Sequence, residues 1–182
     1  RCLGRYIARR MAKQGWRVRV AVRHPNDALH VRTCGGVGQV EPVFCNIRDD
    51  ASVAAVLDGA DAAVNCVGTF DRGGANNFQA VQAEGAGRIA RHCADLGVAK
   101  LVHISAIGAD VEGDSIYART KGQGEVAVQQ ALNGAVVLRP SVMFGTEDGF
   151  FNKFAALAQF GPVLPIFGAN TKFKPVWVDD VA

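Results

Sequence analysis

Short runs of branched apolar residues alternate along this chain with longer stretches whose apolar residues recur at helical spacing. That alternation constrains the fold most, because successive short runs joined by a helix pair in parallel. The spacing predicts helices over 5–14, 50–57, about 77–96 and 117–132. It predicts strands over 16–23, 41–45, 61–67, 101–105 and 136–138, with Gly15, Gly59 and Gly97 placed to stop helices. The order is that of a doubly wound α/β sheet lacking its first strand. In such a sheet the first strand lies centrally, so the pattern predicts about ten further residues upstream. At the other end, Val178-Asp179-Asp180-Val181-Ala182 reads as the opening of a helix.

Composition narrows the class. The 182 residues suit one α/β domain, and no apolar run approaches the ~20 residues of a membrane-spanning helix. Cys2, Cys34, Cys45, Cys66 and Cys93 are far apart with no C-x-x-C pair, which reads as buried thiols in a reducing compartment. His24, His30, His92 and His103 have no metal-ligand spacing, and His103 reads as a packed strand residue. No metal site is expected. Residues 1–35 hold nine Lys or Arg against one acid, Asp27. This basic stretch suits either a phosphate or acidic partner, or the wet face of a helix at Arg9, Arg10 and Lys13. Nothing resembles an aromatic platform for nucleic acid.

The chemistry-bearing residues fall at strand ends, where open α/β sheets bind ligands. Gly4 stands where the third glycine of a G-x-x-G-x-x-G turn would lie, with Arg1 at the place of the second. Arg23 ends the second strand of the expected sheet. An acid there suits ribose hydroxyls, whereas a base suits a 2′-phosphate, with a solvated surface arginine as the equal alternative. Asn46 and Ile47 follow the next strand and would flank an adenine. Asn65-Cys66-Val67-Gly68 closes the strand after that, its glycine allowing backbone to approach a cofactor. Ser105 precedes Tyr117 by twelve residues, and Tyr117 and Lys121 are one helical turn apart. A lysine beside a phenol is expected to lower the phenol's pKa and fit it for proton exchange. Ser105 would hold the reacting oxygen, and Lys121 the nicotinamide ribose.

Read together, these segments predict a Rossmann-type NAD(P)-binding domain. The chain resembles the extended and atypical short-chain dehydrogenase/reductases, the NAD-dependent epimerase/dehydratase family. Within them it is most similar to the nucleotide-binding accessory subunit type of respiratory complex I and its bacterial relatives. The resemblance rests on Gly4-Arg5-Tyr6, 64–68, 82–86, 101–109, 117–121, 138–145 and 175–182. It implies a dinucleotide bound across the Gly4 turn, the Gly68 loop and Tyr117/Lys121, with Pro140 and Phe144 near the nicotinamide. NADP(H) is favoured by Arg23, with NAD(H) the alternative. Gln82 and Ala86 stand where active extended enzymes commonly carry Asn and Thr, and Ala106 replaces a frequent second Ser. These changes weaken the case for turnover more than that for cofactor binding.

The resemblance divides the chain into an NAD(P)-binding domain, 1–145, and the start of a substrate-binding region, 146–182. Two functions follow as expectations. One is oxidoreductase or epimerase-type chemistry by Ser105, Tyr117 and Lys121 on an unknown small molecule. The other is a non-catalytic accessory or assembly subunit that holds NADP(H) and docks on a membrane complex. The expected location is cytoplasmic, or peripheral on the cytoplasmic or matrix side of a respiratory membrane. Phe150, Phe151, Phe154, Phe160, Phe167 and Phe173, interleaved with Lys153, Lys172 and Lys174, read as part of a substrate-domain core. The alternative is an apolar mouth for a lipid-like or quinone-like molecule.

Overall fold

A computed structural model describes residues 2–159 and 172–182. Arg1, Phe160 and Phe167, singled out above, lie outside the described residues. Helix α1 (Cys2–Lys13) leads to strand β1 (Val18–Val22), a 3-10 segment (Pro25–Cys34) and β2 (Val40–Phe44). Then come α2 (Asp50–Leu57), β3 (Ala62–Asn65), a π-helical segment (Gln79–Glu84) running into α3 (Gly85–Asp95), and β4 (Lys100–Ile104). Helix α4 (Ile116–Ala131), β5 (Val136–Leu138), β6 (Met143–Phe144), α5 (Phe151–Ala158), β7 (Val176–Trp177) and α6 (Val178–Val181) complete the order.

All pairings are parallel, as the crossover pattern requires. Among the described residues β1 pairs with β2, and β4 lies between β3 and β5, in register Asn65↔His103 and His103↔Val137. The two groups share no strand hydrogen bonds, which leaves β1 and β3 each with a bare edge.

Local chemistry explains the helix limits. Asp49 caps α2 by accepting from Ser52 N at 2.8 Å, and Ser115 caps α4 by accepting from Ala118 N at 3.0 Å. Gly15 and Gly97 stop α1 and α3 at φ 90° and 73°, a left-handed conformation that side chains resist. Between the strands, Val53, Leu57, Ala86, Ala90, Cys93, Val98, Leu101 and Val128 form the main core beneath α2, α3 and α4. Small residues let α4 approach closely: a Cβ on Gly124 would collide with the Gln82 carbonyl.

The last described residues return to the first helix. β6 pairs with β7 in register Met143↔Val176, and Val178 is buried with Leu3, Tyr6 and Ile104. The basic face of α1 meets acids there: Arg10 contacts Asp179 at 2.9 Å, Arg9 the same residue at 3.7 Å, and Arg5 contacts Glu147 at 3.1 Å. Arg9, Arg10 and Lys13 are exposed, so of the two readings of the basic stretch they fit the wet face of a helix, two of them in solvent-exposed ion pairs. Cys34, Cys45, Cys66 and Cys93 are free, and burial pushes the Cys66 and Cys93 thiols up to about 11. No helix among the described residues is long and apolar enough to cross a membrane.

Candidate functional site

Five of the singled-out segments follow the C-terminal ends of strands. Arg23 follows β1, Asn46-Ile47 follows β2, Gly68 lies beyond β3, Ser105 follows β4, and Pro140 lies just past β5. The backbone fixes the last two together: Ser105 N donates to the Leu138 carbonyl at 2.8 Å, and Ile107 N to the Pro140 carbonyl at 3.0 Å.

Tyr117 and Lys121 share one face of α4, but their relation differs from that expected. The Lys121 ammonium is buried and donates to the Ile104 carbonyl at 3.2 Å. Burial lowers its pKa, offset in part by Glu125. The phenol of Tyr117 is shifted upward, by burial, and not downward as the lysine spacing had suggested. The physical reason lies in its neighbours. Phe70 stacks on the Tyr117 ring at 5.7 Å and Phe78 meets its edge at 5.9 Å, so apolar surface penalises a phenolate. Ser105 Oγ is sealed from solvent and lies beside the Glu125 carboxylate without a well-formed hydrogen bond to any described residue. Such an atom retains its full capacity to bind a group brought to it, once the side chain turns outward.

The other singled-out residues divide by what their polar atoms already do. Asn65 is buried; its amide pairs with His103 Nδ1 at 3.0 Å and its Oδ1 accepts from Val67 N at 3.0 Å. It therefore shapes the loop leading to Gly68. Asn46 Oδ1 accepts from Arg48 N at 3.2 Å, and the Ile47 side chain packs where a Cβ on Gly85 would intrude at 2.9 Å. Gly68 is exposed, and a Cβ there would stand 3.8 Å from Lys121 Nζ, an ordinary contact. Arg23 is exposed, with no ion pair among the described residues. Gly4 lies in the first described turn of α1.

Several residues were missed or undervalued by sequence reasoning. Gln82, read only as a departure, is buried and donates to the Thr69 carbonyl at 2.7 Å, while its Oε1 accepts from Thr120 Oγ1 at 3.3 Å. It ties the Gly68 loop to α4. Glu125 is buried and receives Arg139 on both carboxylate oxygens, at 2.9 and 2.6 Å. An acid four residues after Lys121, on its buried face, was the available signal. Phe70 left none, since its partner is distant in sequence.

Concave space lies elsewhere. A hollow of about 340 Å³ is bounded by Gln14, Trp16, Arg17 and Asp61, before the N-terminal ends of β1 and β3. Another, of about 470 Å³, is lined by Phe144, Phe151, Pro175 and Trp177 with Asp148 and Asn152. It borders an edge-to-face cluster of Phe144, Phe150, Phe151, Phe154, Phe173 and Trp177, whose rings stay partly exposed. No group of residues suited to a metal occurs among the described residues.

Parallel strands with crossover helices, and strand-end residues gathered around Lys121, define a Rossmann-type NAD(P)-binding domain. Comparison with known proteins narrows this. The family model described as NAD(P)H-binding matches residues 2–142, and the chain belongs to that family. It is 34% identical, over 99% of its length and 46% of the relative, to the mitochondrial NADH dehydrogenase [ubiquinone] 1 alpha subcomplex subunit 9 of Arabidopsis thaliana. It is 31% identical, over 98% of its length and 47% of the relative, to the mitochondrial 40 kDa subunit of NADH-ubiquinone oxidoreductase from Neurospora crassa. It is 30% identical, over 99% of its length and 55% of the relative, to a ceramide reductase of Caulobacter vibrioides. The chain spans about half the length of these relatives. Among solved structures, dTDP-glucose 4,6-dehydratase DesIV from Streptomyces venezuelae superposes with TM-score 0.80 at 20% identity, covering 98% of this chain and 66% of that one. The enzyme WbmG of Bordetella bronchiseptica, in complex with NAD, superposes with TM-score 0.79 at 16% identity, covering 100% and 63%. These structural likenesses show the fold that the chain shares with them, a Rossmann-type α/β fold.

Proposed function

We propose that this chain holds a nicotinamide dinucleotide, NADP(H) in preference to NAD(H), as a retained ligand within an accessory subunit of a respiratory membrane complex. Its place would be peripheral, on the matrix or cytoplasmic side. The observation that carries the reading is the state of the site's side chains. Lys121 is a buried ammonium with one acceptor among the described residues, Ser105 Oγ is sealed, and Tyr117 is flanked by Phe70 and Phe78 with its phenol shifted upward. Such a set binds and orients better than it relays protons.

The residues present fit a dinucleotide. Lys121 has N–H groups left for ribose hydroxyls, Gly68 leaves room for backbone approach, and Arg23 offers an exposed guanidinium to a 2′-phosphate. Asn46, Ile47, Asn65, Gly4 and Pro140 would shape the walls. A reduced nicotinamide supplies a hydride when bound.

A second reading, an oxidoreductase acting on a lipid-like carbonyl, is favoured by the likeness to a ceramide reductase and by Tyr117 and Lys121 on one helix face. There Tyr117 would give its proton to the substrate oxygen and Ser105 would hold that oxygen. Exchange and turnover separate the two. NADPH that copurifies, exchanges slowly and is not oxidised by offered carbonyls or quinones supports a retained ligand. Turnover that Tyr117→Phe abolishes, with cofactor affinity unchanged, overturns that reading in favour of the enzyme.

A further inference from the structure

Among the described residues one carboxylate and one lysine are buried, Glu125 and Lys121, one turn apart on α4. A carboxylate removed from water is costly unless its partners are fixed. Here they are. Arg139 Nε donates to Oε1 at 2.9 Å and Nη2 to Oε2 at 2.6 Å, with the Glu125 side chain 9% exposed and that of Arg139 53%. Arg139 immediately precedes Pro140, whose carbonyl accepts from Ile107 beyond β4. The ion pair thus joins α4, the end of β4 and the turn after β5.

The surroundings of Lys121 make that carboxylate matter. The titratable and charged groups near enough to act on it are Glu125 one turn on, His103 on β4 and Cys66 beyond β3, with Tyr117 one turn back on the same helix face and Arg139 reached through Glu125. Burial holds His103 neutral, at about 4, and raises the Cys66 thiol to about 11. Glu125 alone among them is anionic near neutral pH.

We propose that Glu125 is a positioning residue of this site: locked by Arg139, it keeps a fixed negative charge one turn behind Lys121 and holds the Pro140 turn, so that Lys121 meets its ligand as a cation. The identity of that ligand rests on the dinucleotide reading; the pairing of Glu125 with Lys121 does not. Glu125 opposes the burial that lowers the Lys121 pKa. Its removal therefore moves the loss of the Lys121 proton to lower pH.

The test is an NMR titration of the lysine ε-carbons from about pH 6 to about pH 10, with Lys121 assigned through Lys121→Met, alongside NADPH affinity across that range. In Glu125→Gln, Lys121 deprotonates at lower pH than in the native protein. NADPH binding then weakens about tenfold at the alkaline end and little at the acid end. Glu125→Asp, which keeps the charge, restores much of the alkaline affinity. Arg139→Gln removes the cation that neutralises Glu125, so the carboxylate acts on Lys121 unscreened and Lys121 deprotonates at higher pH, the opposite direction; it serves if Glu125→Gln does not fold. An unchanged Lys121 titration in both variants, or an affinity loss equal at every pH, overturns the proposal. A native protein that binds no NADPH overturns the dinucleotide reading, while the Lys121 titration still decides the role of Glu125.

Discussion

The Lys121 ammonium reaches the Ile104 carbonyl at 3.2 Å and so fastens α4 to the end of the strand that precedes Ser105. The lysine is an anchor between two elements as well as a cation at the site. Lys121→Met keeps the length of the side chain, removes the charge and leaves the buried Ile104 carbonyl without its donor. Stability is expected to fall by roughly 1–3 kcal/mol, the cost of an unsatisfied buried acceptor, while dinucleotide affinity falls by about ten- to a hundredfold, the range for a lost charged hydrogen bond. Calorimetry of folding and of binding on the same preparation checks both. A large loss of stability with affinity retained would make the residue purely structural.

His103 gives the fold a pH dependence. Burial and the nearby Lys121 charge lower its pKa from 6.5 to about 4. A base whose folded pKa is depressed contributes stability that is complete above the unfolded value and is lost as pH falls toward the folded one. The native protein should therefore lose about 3 kcal/mol between pH 6.5 and about 4. Denaturant unfolding of the native protein and His103→Gln isolates this part, since the variant should show a correspondingly shallower decline. Parallel curves would contradict it.

Gly124→Ala would drive a methyl into the Gln82 carbonyl and should cost roughly 1–3 kcal/mol. Urea melts of this variant beside the native protein test whether the close approach of α4 is as described.

The stacking of Phe70 on Tyr117 predicts that Phe70→Ala exposes the phenol. Loss of apolar cover should bring the Tyr117 pKa back toward its ordinary value, read by ultraviolet titration of tyrosinate. An unshifted titration would show that the ring does not set the phenol's environment.

Much of this fold was legible in the sequence. Helix α2 and strand β5 have the predicted limits, and the other main strands and helices lie within a few residues of them, because periodicity and stopping glycines are local signals. The 3-10 segment Pro25–Cys34 was not foreseen: its buried Ala28 and Val31 are too few to set a period. Strands β6 and β7, two residues each, are equally mute. At the site, residue types and spacing placed Ser105, Tyr117 and Lys121 at the correct strand and helix ends. They did not convey environment. The Tyr117 phenol rises because Phe70 and Phe78 come from distant segments, and Glu125 is held by an arginine beyond the next strand.

Isothermal titration of NADPH and NADH into the native protein and Arg23→Ser decides whether this chain holds a dinucleotide with Arg23 against its 2′-phosphate. The expected result is one site per chain, tighter binding of NADPH than of NADH, and loss of that preference in Arg23→Ser with NADH affinity unchanged. A native protein that binds neither dinucleotide, or an Arg23→Ser variant that keeps the preference, overturns this reading.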